Sequence, residues 1–317
     1  MEITILILLL FVKSAIAGLT NLFVGLGTRK AAVKTEMPKL SLSMPFTITE
    51  DDIKAYVSAT GSKPVEIDGH RPTKALFLTG TTLPAMLLLL AKRGSPIQPL
   101  GCVNVRNTFE ILRPSLCTLS ALRSAEGAFV LATLESPARI VKRGVELDLR
   151  VEIRVKPEAG SDYVTIFQQV HTMLQFTKIA KSTPVSRAAM DPEFQFRLAS
   201  MHATGHLGIG YMGPSEWARF CKDYNIIHTS GLAARLFGLP GKIAHGNHVV
   251  ALMLKETLGP KDEDPDAVFR LEVQFRRPVT VPTNLDVHTE VVESGGSLHT
   301  RFAVAQGVKI CVQGKYW

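Results

Sequence analysis

DYNIIHTSGLAARLFGLPGKIAHG, residues 223 to 246, holds most of the chemistry-bearing pattern of this chain. Asp223 and His228 stand five residues apart, with Asn225 between them. Ala233, Ala234 and Phe237 form a packing segment, Gly238 to Gly241 turns the chain, and Ile243-Ala244-His245-Gly246 leads into an apolar run, Asn247 to Thr257, closed by Gly259. That run reads as a helix. A carboxylate and an imidazole brought together hold a water and move protons in both directions. The first amides of a helix are unsatisfied donors with positive potential, so a carbonyl placed there is polarised. Gly246 has no Cβ and admits a substrate close to the backbone. An isolated Asp and His at this spacing are commonly a turn acid and a partly exposed histidine. The continuation into a helix start is what carries the functional reading.

Around this stretch, Pro214 to Cys221 reads as a short helix, KDEDPD as a solvated loop, and strands are expected near 268–276, 284–293, 298–306 and 308–316. Ser294-Gly295-Gly296 marks a hairpin turn. Further back the same order recurs. Thr47 to Thr60 has a threonine cap, early acids and apolar Ile53, Tyr56 and Val57, which predicts a helix. Pro64 to Thr79 reads as irregular, and Leu83 to Lys92 as a buried helix opened by Gly80. Strand-like runs follow near 102–111, 117–123, 128–135, 145–155 and 162–176. Gly80 and Gly246 stand 166 residues apart, as do Phe109 and Phe275, each Phe followed by an Arg-Pro step. The shared order and offset predict a duplicated unit and an α+β fold. The expected layout is a leader and linker over 1–43, a first half over 44–176, a connector over 177–207 and a second half over 208–317. In the first half, Ala59 to Asp68 carries Ser62 and Glu66 where the second has Asp223 and His228.

The second-half pattern resembles the motif of the MaoC-like dehydratases and R-specific enoyl-CoA hydratases: Asp-x-Asn-Pro-aliphatic-His, an Ala, a Gly-Phe turn, then Ile-Ala-His-Gly. Here it stands as Asp223, Asn225, Ile227, His228, Ala234, Phe237-Gly238 and Ile243 to Gly246. LEVQFRRPVTVPTNLDV, residues 271 to 287, resembles the strand that follows the family's central helix. The chain departs from the pattern at Cys221-Lys222 and at Ile226, which predicts an altered loop. The resemblance implies a double hotdog, with two long central helices each wrapped by an antiparallel sheet. It also implies reversible water addition across an enoyl thioester, giving the (R)-3-hydroxyacyl thioester of fatty-acid metabolism. Asp223 and His228 would be catalytic, the Gly246 amide would form the oxyanion hole, and Asn225 and His245 would support the loop. No metal and no cofactor are expected beyond the substrate's own carrier, acyl-CoA or acyl-carrier protein. A hotdog thioesterase and a silent acyl-thioester binding or scaffold protein are the alternatives.

The remaining features bound the setting. Residues 3 to 27 are largely apolar, with Lys13 as the one charge, and are followed by Arg29, Lys30 and Lys34, which predicts a membrane anchor or leader with the catalytic part facing the cytoplasm. A mitochondrial location is the alternative. The net charge of +8 is spread in pairs without interleaved aromatics, which argues against nucleic acid and suits an anionic carrier. Cys102, Cys117, Cys221 and Cys311 form no CxxC and read as buried free thiols. A homodimer is compatible with this layout.

Overall fold

The computed structural model describes residues 35–97, 102–158, 160–177, 179, 184–185, 194, 196–257, 267–294 and 296–317. The apolar leader expected at 3–27 lies outside the described residues.

Helix α1 (Glu50–Thr60) starts where its acids predict. Thr49 Oγ1 accepts from the Asp52 amide at 3.2 Å and the Asp52 carboxylate accepts from the Thr49 amide at 3.0 Å, a reciprocal cap. Gly61 ends the helix at φ +66°, a left-handed turn that glycine adopts without steric cost. Helix α2 (Pro64–Gly69) and helix α3 (Arg71–Ala91) then occupy the stretch expected to be irregular. Two features explain the difference. Pro72 sits in the first turn of α3, where its missing N–H is not needed. The polar residues that interrupt the apolar pattern are satisfied inside the helix: Thr79 Oγ1 donates to Ala75 O at 2.8 Å and Thr82 Oγ1 to Leu78 O at 2.9 Å. Gly80 therefore lies mid-helix rather than opening it. The helix is long and apolar enough to cross a membrane, yet Ala75 to Leu78 are fully buried in the protein core.

Strands β1 (Ser41–Pro45), β2 (Cys102–Ile111), β3 (Phe129–Leu134), β4 (Arg139–Val141), β5 (Gly144–Val155) and β6 (Val164–Phe176) complete the first half. The strand expected at 117–123 is instead a 3-10 turn, Pro114–Cys117, and helix α4 (Leu119–Ser124). Thr118 accepts from the Ala121 amide and caps α4.

The second half has strand β7 (His202–Ile209), helices α5 (Gly213–Cys221), α6 (Ile226–Thr229), α7 (Gly231–Leu236) and α8 (Gly246–Thr257), and strands β8 (Phe269–Phe275), β9 (Thr283–Ser294), β10 (Ser297–Gln306) and β11 (Lys309–Tyr316). Strand pairing moves two expected boundaries. Residues 41–43 pair with β3 and so belong to the first sheet. β7 pairs with β9 although most of it falls in the stretch expected as connector.

All neighbouring strands pair antiparallel, in the order β1-β3-β5-β6-β2-β8-β11-β10-β9-β7, with β4 beside β5. The second five strands repeat the first five in reverse, as two copies joined about a two-fold axis would. The register agrees. At the seam Asn107 pairs with Val273, and these two residues stand 166 apart. Only residues at equivalent positions of the two copies face each other on such an axis. α3 packs on β1, β2, β3, β5 and β6, and α8 on β7 and β11. The architecture is an α+β double hotdog, with a central helix of 21 residues in the first half and 12 in the second.

The helices of the two halves also meet. Tyr56, Phe77, Trp217 and Phe220 form an edge-and-stack cluster with centroids 5.1 to 6.2 Å apart, drawn from α1, α3 and α5. Each such pair adds about 0.5–1.5 kcal/mol to plain burial. A Cβ at Gly80 would lie 2.0 Å from the Phe220 ring, so that glycine lets α5 seat against α3.

Candidate active site

The site begins where α5 stops. Lys222 takes φ +62°, the one non-glycine residue with positive φ among the described residues. Its amide donates to Ala218 O at 2.8 Å, as the Gly61 amide does to Val57 O in the first half. This turn delivers Asp223. The Asp223 carboxylate accepts from the Asn225 amide at 3.1 Å, and Asn225 Oδ1 accepts from the Ile227 amide at 3.4 Å to cap α6. Asn225 thus ties Asp223 to the start of α6.

His228, in α6, is fixed by the segment that leads to α8. His228 Nδ1 donates to Ile243 O at 3.0 Å, while the Ile243 amide donates to Ile227 O at 3.1 Å. The Nδ1 proton leaves Nε2 with a free lone pair. His245 Nε2 donates to the backbone carbonyl of Asp223 at 3.1 Å and lies 3.7 Å from its carboxylate. The His228 and His245 rings stack with centroids 3.7 Å apart. The loop is held from behind as well: the Ala244 amide donates to Val279 O and the Val281 amide to Lys242 O.

Burial holds His228 below the usual imidazole range, opposed by the Asp223 charge and the Ile243 carbonyl. Burial pushes His245 well below that range, helped by His228 and His248. Both rings are neutral at neutral pH. Asp223, His228 and His245 offer ligand atoms within 4.8 Å of one another. An imidazole lone pair lies in its ring plane, and the two planes are only 24° apart. The two rings therefore lie face to face beside the Asp223 carboxylate.

Gly246 stands at the start of α8, beside this cluster. The His245 carbonyl accepts from the amides of His248 and Val249, which leaves the Gly246 amide as a first-turn donor without an intrahelical acceptor. Its missing Cβ has a different cause from the one expected. A Cβ there would lie 2.4 Å from the Phe275 ring, so the glycine admits a neighbouring side chain. His248 faces away, donating from Nε2 to Ala59 O at 2.9 Å and stacking on Trp217. It is buried and joins the two halves. Burial pushes the Cys221 thiol well above its usual value, so it is inert beside Asp223.

The cap geometry also revises which first-half residues stand opposite the pair. Aligning Gly61 with Lys222 sets Ser62 against Asp223, as expected, but Ile67 rather than Glu66 against His228. Ile67 is fully buried and apolar, so the position opposite His228 carries no base.

Three further residues belong to the neighbourhood. Buried Lys242 donates to Ser215 Oγ at 3.0 Å and lies 4.3 Å from the Tyr211 ring centroid. Asn107 and Asn104, from β2 of the other half, reach α8 through Asn247. The signal for Asn107 was period two, since the inward positions on that strand are otherwise the buried Phe109 and Ile111.

Residues 211–310 match the family described as MaoC like domain, a span that holds the whole cluster. The chain carries a MaoC-like domain. A curated relative, 3-hydroxyacyl-thioester dehydratase X of Mycobacterium tuberculosis, is 27% identical over 254 residues, covering 79% of each chain. The crystal structure of HtdX from that organism aligns with a TM-score of 0.61 at 20% identity, covering 87% of this chain and 98% of that one. A MaoC-like dehydratase from Phytophthora capsici aligns with a TM-score of 0.59 at 12% identity, over 89% and 95% of the two chains. These alignments extend well beyond the MaoC-like domain, so the likeness in fold takes in both halves.

Proposed function

We propose that this protein is a hydro-lyase that hydrates enoyl thioesters reversibly to (R)-3-hydroxyacyl thioesters, with Asp223 and His228 as its catalytic pair. The observation that carries this is the His228–Ile243 hydrogen bond. It leaves a neutral imidazole with a free Nε2 lone pair close to a carboxylate, at the start of α8. In the hydration direction a water oxygen adds to C3 of the enoyl group. Its proton passes to the Asp223–His228 pair, and the pair returns a proton to C2. The thioester oxygen gains charge between these steps, and the Gly246 amide stabilises it. Asn225 and His245 hold the loop. The reaction needs no cofactor beyond the carrier of the acyl group.

A thioesterase would use the same helix end, but it needs an acid on the central helix near that end. Glu256, the acid of α8, sits at the far end. Incubating the protein with crotonyl-CoA and crotonyl-carrier protein, while following the enoyl chromophore and free thiol, separates the readings. We expect chromophore loss without thiol release, abolished by Asp223→Asn in a folded protein. Thiol release would instead make it a thioesterase, and neither signal would make it a binding protein. Faster turnover of one thioester names the carrier. We also propose membrane association through residues 3–27, with the catalytic part on the cytoplasmic side, and a homodimeric assembly. Partition of the protein with and without residues 1–34 between membrane and soluble fractions tests the first, and sedimentation tests the second.

A further inference from the structure

Asn107 lies at the centre of the seam, paired with Val273 on β8 and with His171 on β6, and is fully buried. Asn104 Nδ2 donates to Asn107 Oδ1 at 2.8 Å, and Asn107 Nδ2 donates to Asn247 Oδ1 at 2.8 Å. Each amide donates a hydrogen bond to the next, Asn104 to Asn107 and Asn107 to Asn247. The last bond falls on the oxygen of Asn247, so the Asn247 NH2 group takes no part in this chain of amides. That group has no hydrogen-bond partner among the described residues, and Asn247 is half-buried, so a ligand can reach it. Asn247 is adjacent to Gly246 and two residues from His245, which stacks on His228. The backbone amides of Gly246 and Asn247 have no acceptor among the described residues either. Asn247 lies in the first turn of α8, and Asn107 holds its amide by the oxygen.

We infer that the side-chain amide of Asn247 is a second donor to the thioester oxygen, and that Asn107 is the positioning residue that aims it. The inference rests on the hydratase reading above. It gives the half without a catalytic pair a part in catalysis, through one hydrogen bond across the seam. The competing account is a purely structural bridge between the halves.

Two variants of the full chain separate these accounts. Asn247→Asp keeps an oxygen for Asn107 and so keeps the bridge, but it removes the donor and adds a charge that opposes the oxyanion. Asn247→Ala removes both donor and bridge and adds no charge. Each is expected to lower kcat for crotonyl-CoA hydration about 100-fold with KM within about threefold, the usual scale for losing one oxyanion donor. Asn107→Ala is expected to lower kcat about tenfold, and to add nothing in the Asn247→Ala background, because it acts only through Asn247. Acetoacetyl-CoA supplies a readout independent of turnover. Its enolate absorbance is expected to rise on binding to the wild-type protein and to stay flat with either Asn247 variant. Unchanged kcat and an unchanged enolate signal in both variants would overturn the inference and leave the hydratase reading standing. An Asn247-dependent enolate signal in a wild-type protein that hydrates nothing would sink the hydratase reading and leave the donor assignment intact. If the wild-type protein gives neither signal, both fall.

Discussion

In the first half the central helix α3 runs from Arg71 to Ala91, whereas in the second the equivalent α8 runs only from Gly246 to Thr257. The two helices end 166 residues apart, so they are the same element with different beginnings. The first nine residues of α3, Arg71 to Thr79, stand where the second half has Phe237 to His245. Extending the helix uses up the free amides that would otherwise bind an oxyanion, and it removes the loop that would carry the acid and the base. The offset between the copies is 161 at the left-handed caps, Gly61 and Lys222, and 166 at the helix ends. Five extra residues in the second half therefore supply the loop. The comparison teaches that the halves differ less in sheet than in where one helix is allowed to start.

The sharpest break is between the paired positions themselves. Asp223→Asn or His228→Gln is expected to lower hydration about 10²- to 10⁴-fold, the range for losing a general acid or base. Ser62→Ala, its counterpart in the first half, should leave kcat within about twofold. A comparable loss from Ser62→Ala in steady-state kinetics would mean that both halves carry chemistry.

Next come the glycines under rings. Gly246→Ala forces a Cβ to 2.4 Å from Phe275, and Gly80→Ala one to 2.0 Å from Phe220. Each should cost about 1–3 kcal/mol by overpacking. Phe275→Leu should relieve the first and Phe220→Leu the second, in urea unfolding. Only Gly246→Ala should also lower kcat in the folded protein. Equal effects of both on kcat would show that the helix start is not special.

Buried histidines give each half an acid sensitivity. Burial pushes His171 of the first half down to about 3 and His248 of the second down to about 4. Both lie below the unfolded value of about 6.5, so the unfolded chain binds the protons first. Their contribution to stability is full above about pH 6.5 and is lost as pH falls towards 4 and then 3. Unfolding measured between pH 7 and 4 should show this decline, and His171→Leu should flatten it. Activity should decline with acid below the usual imidazole range, because burial lowers His228 too.

The smallest effect is at the caps. Lys222 holds a conformation that Gly61 holds without strain, so Lys222→Gly should raise stability by about 1 kcal/mol. Thermal unfolding measures it. A loss of stability would show that the contact of Lys222 Nζ with Arg219 O at 2.6 Å outweighs the backbone cost.

Much of this was legible in the chain. Strands β2, β3, β5, β6 and β8 to β11 lie where strand-like runs were expected, and Asp223, His228 and His245 of the motif lie together. The failures have physical causes. Threonines that bond back to their own helix hid the first two turns of α3. Cys117 to Arg123 alternates apolar and polar residues much as a strand does, but the Thr118 cap turns the chain into a helix there. The matched spacing from Gly80 to Phe109 and from Gly246 to Phe275 reflects the duplication, but the ring over Gly80 is Phe220, from the other half.

The sequence alone determined the local chemistry: which residues can take a proton, where a helix can begin, and that one unit occurs twice. These follow from side-chain type, periodicity and spacing, which act over a few bonds. The tertiary structure alone decided that His228 presents Nε2, that Gly246 lies under Phe275, and that Asn107 reaches Asn247. Each of these joins residues distant in the chain, and only the closing of the two sheets about their shared seam sets such distances.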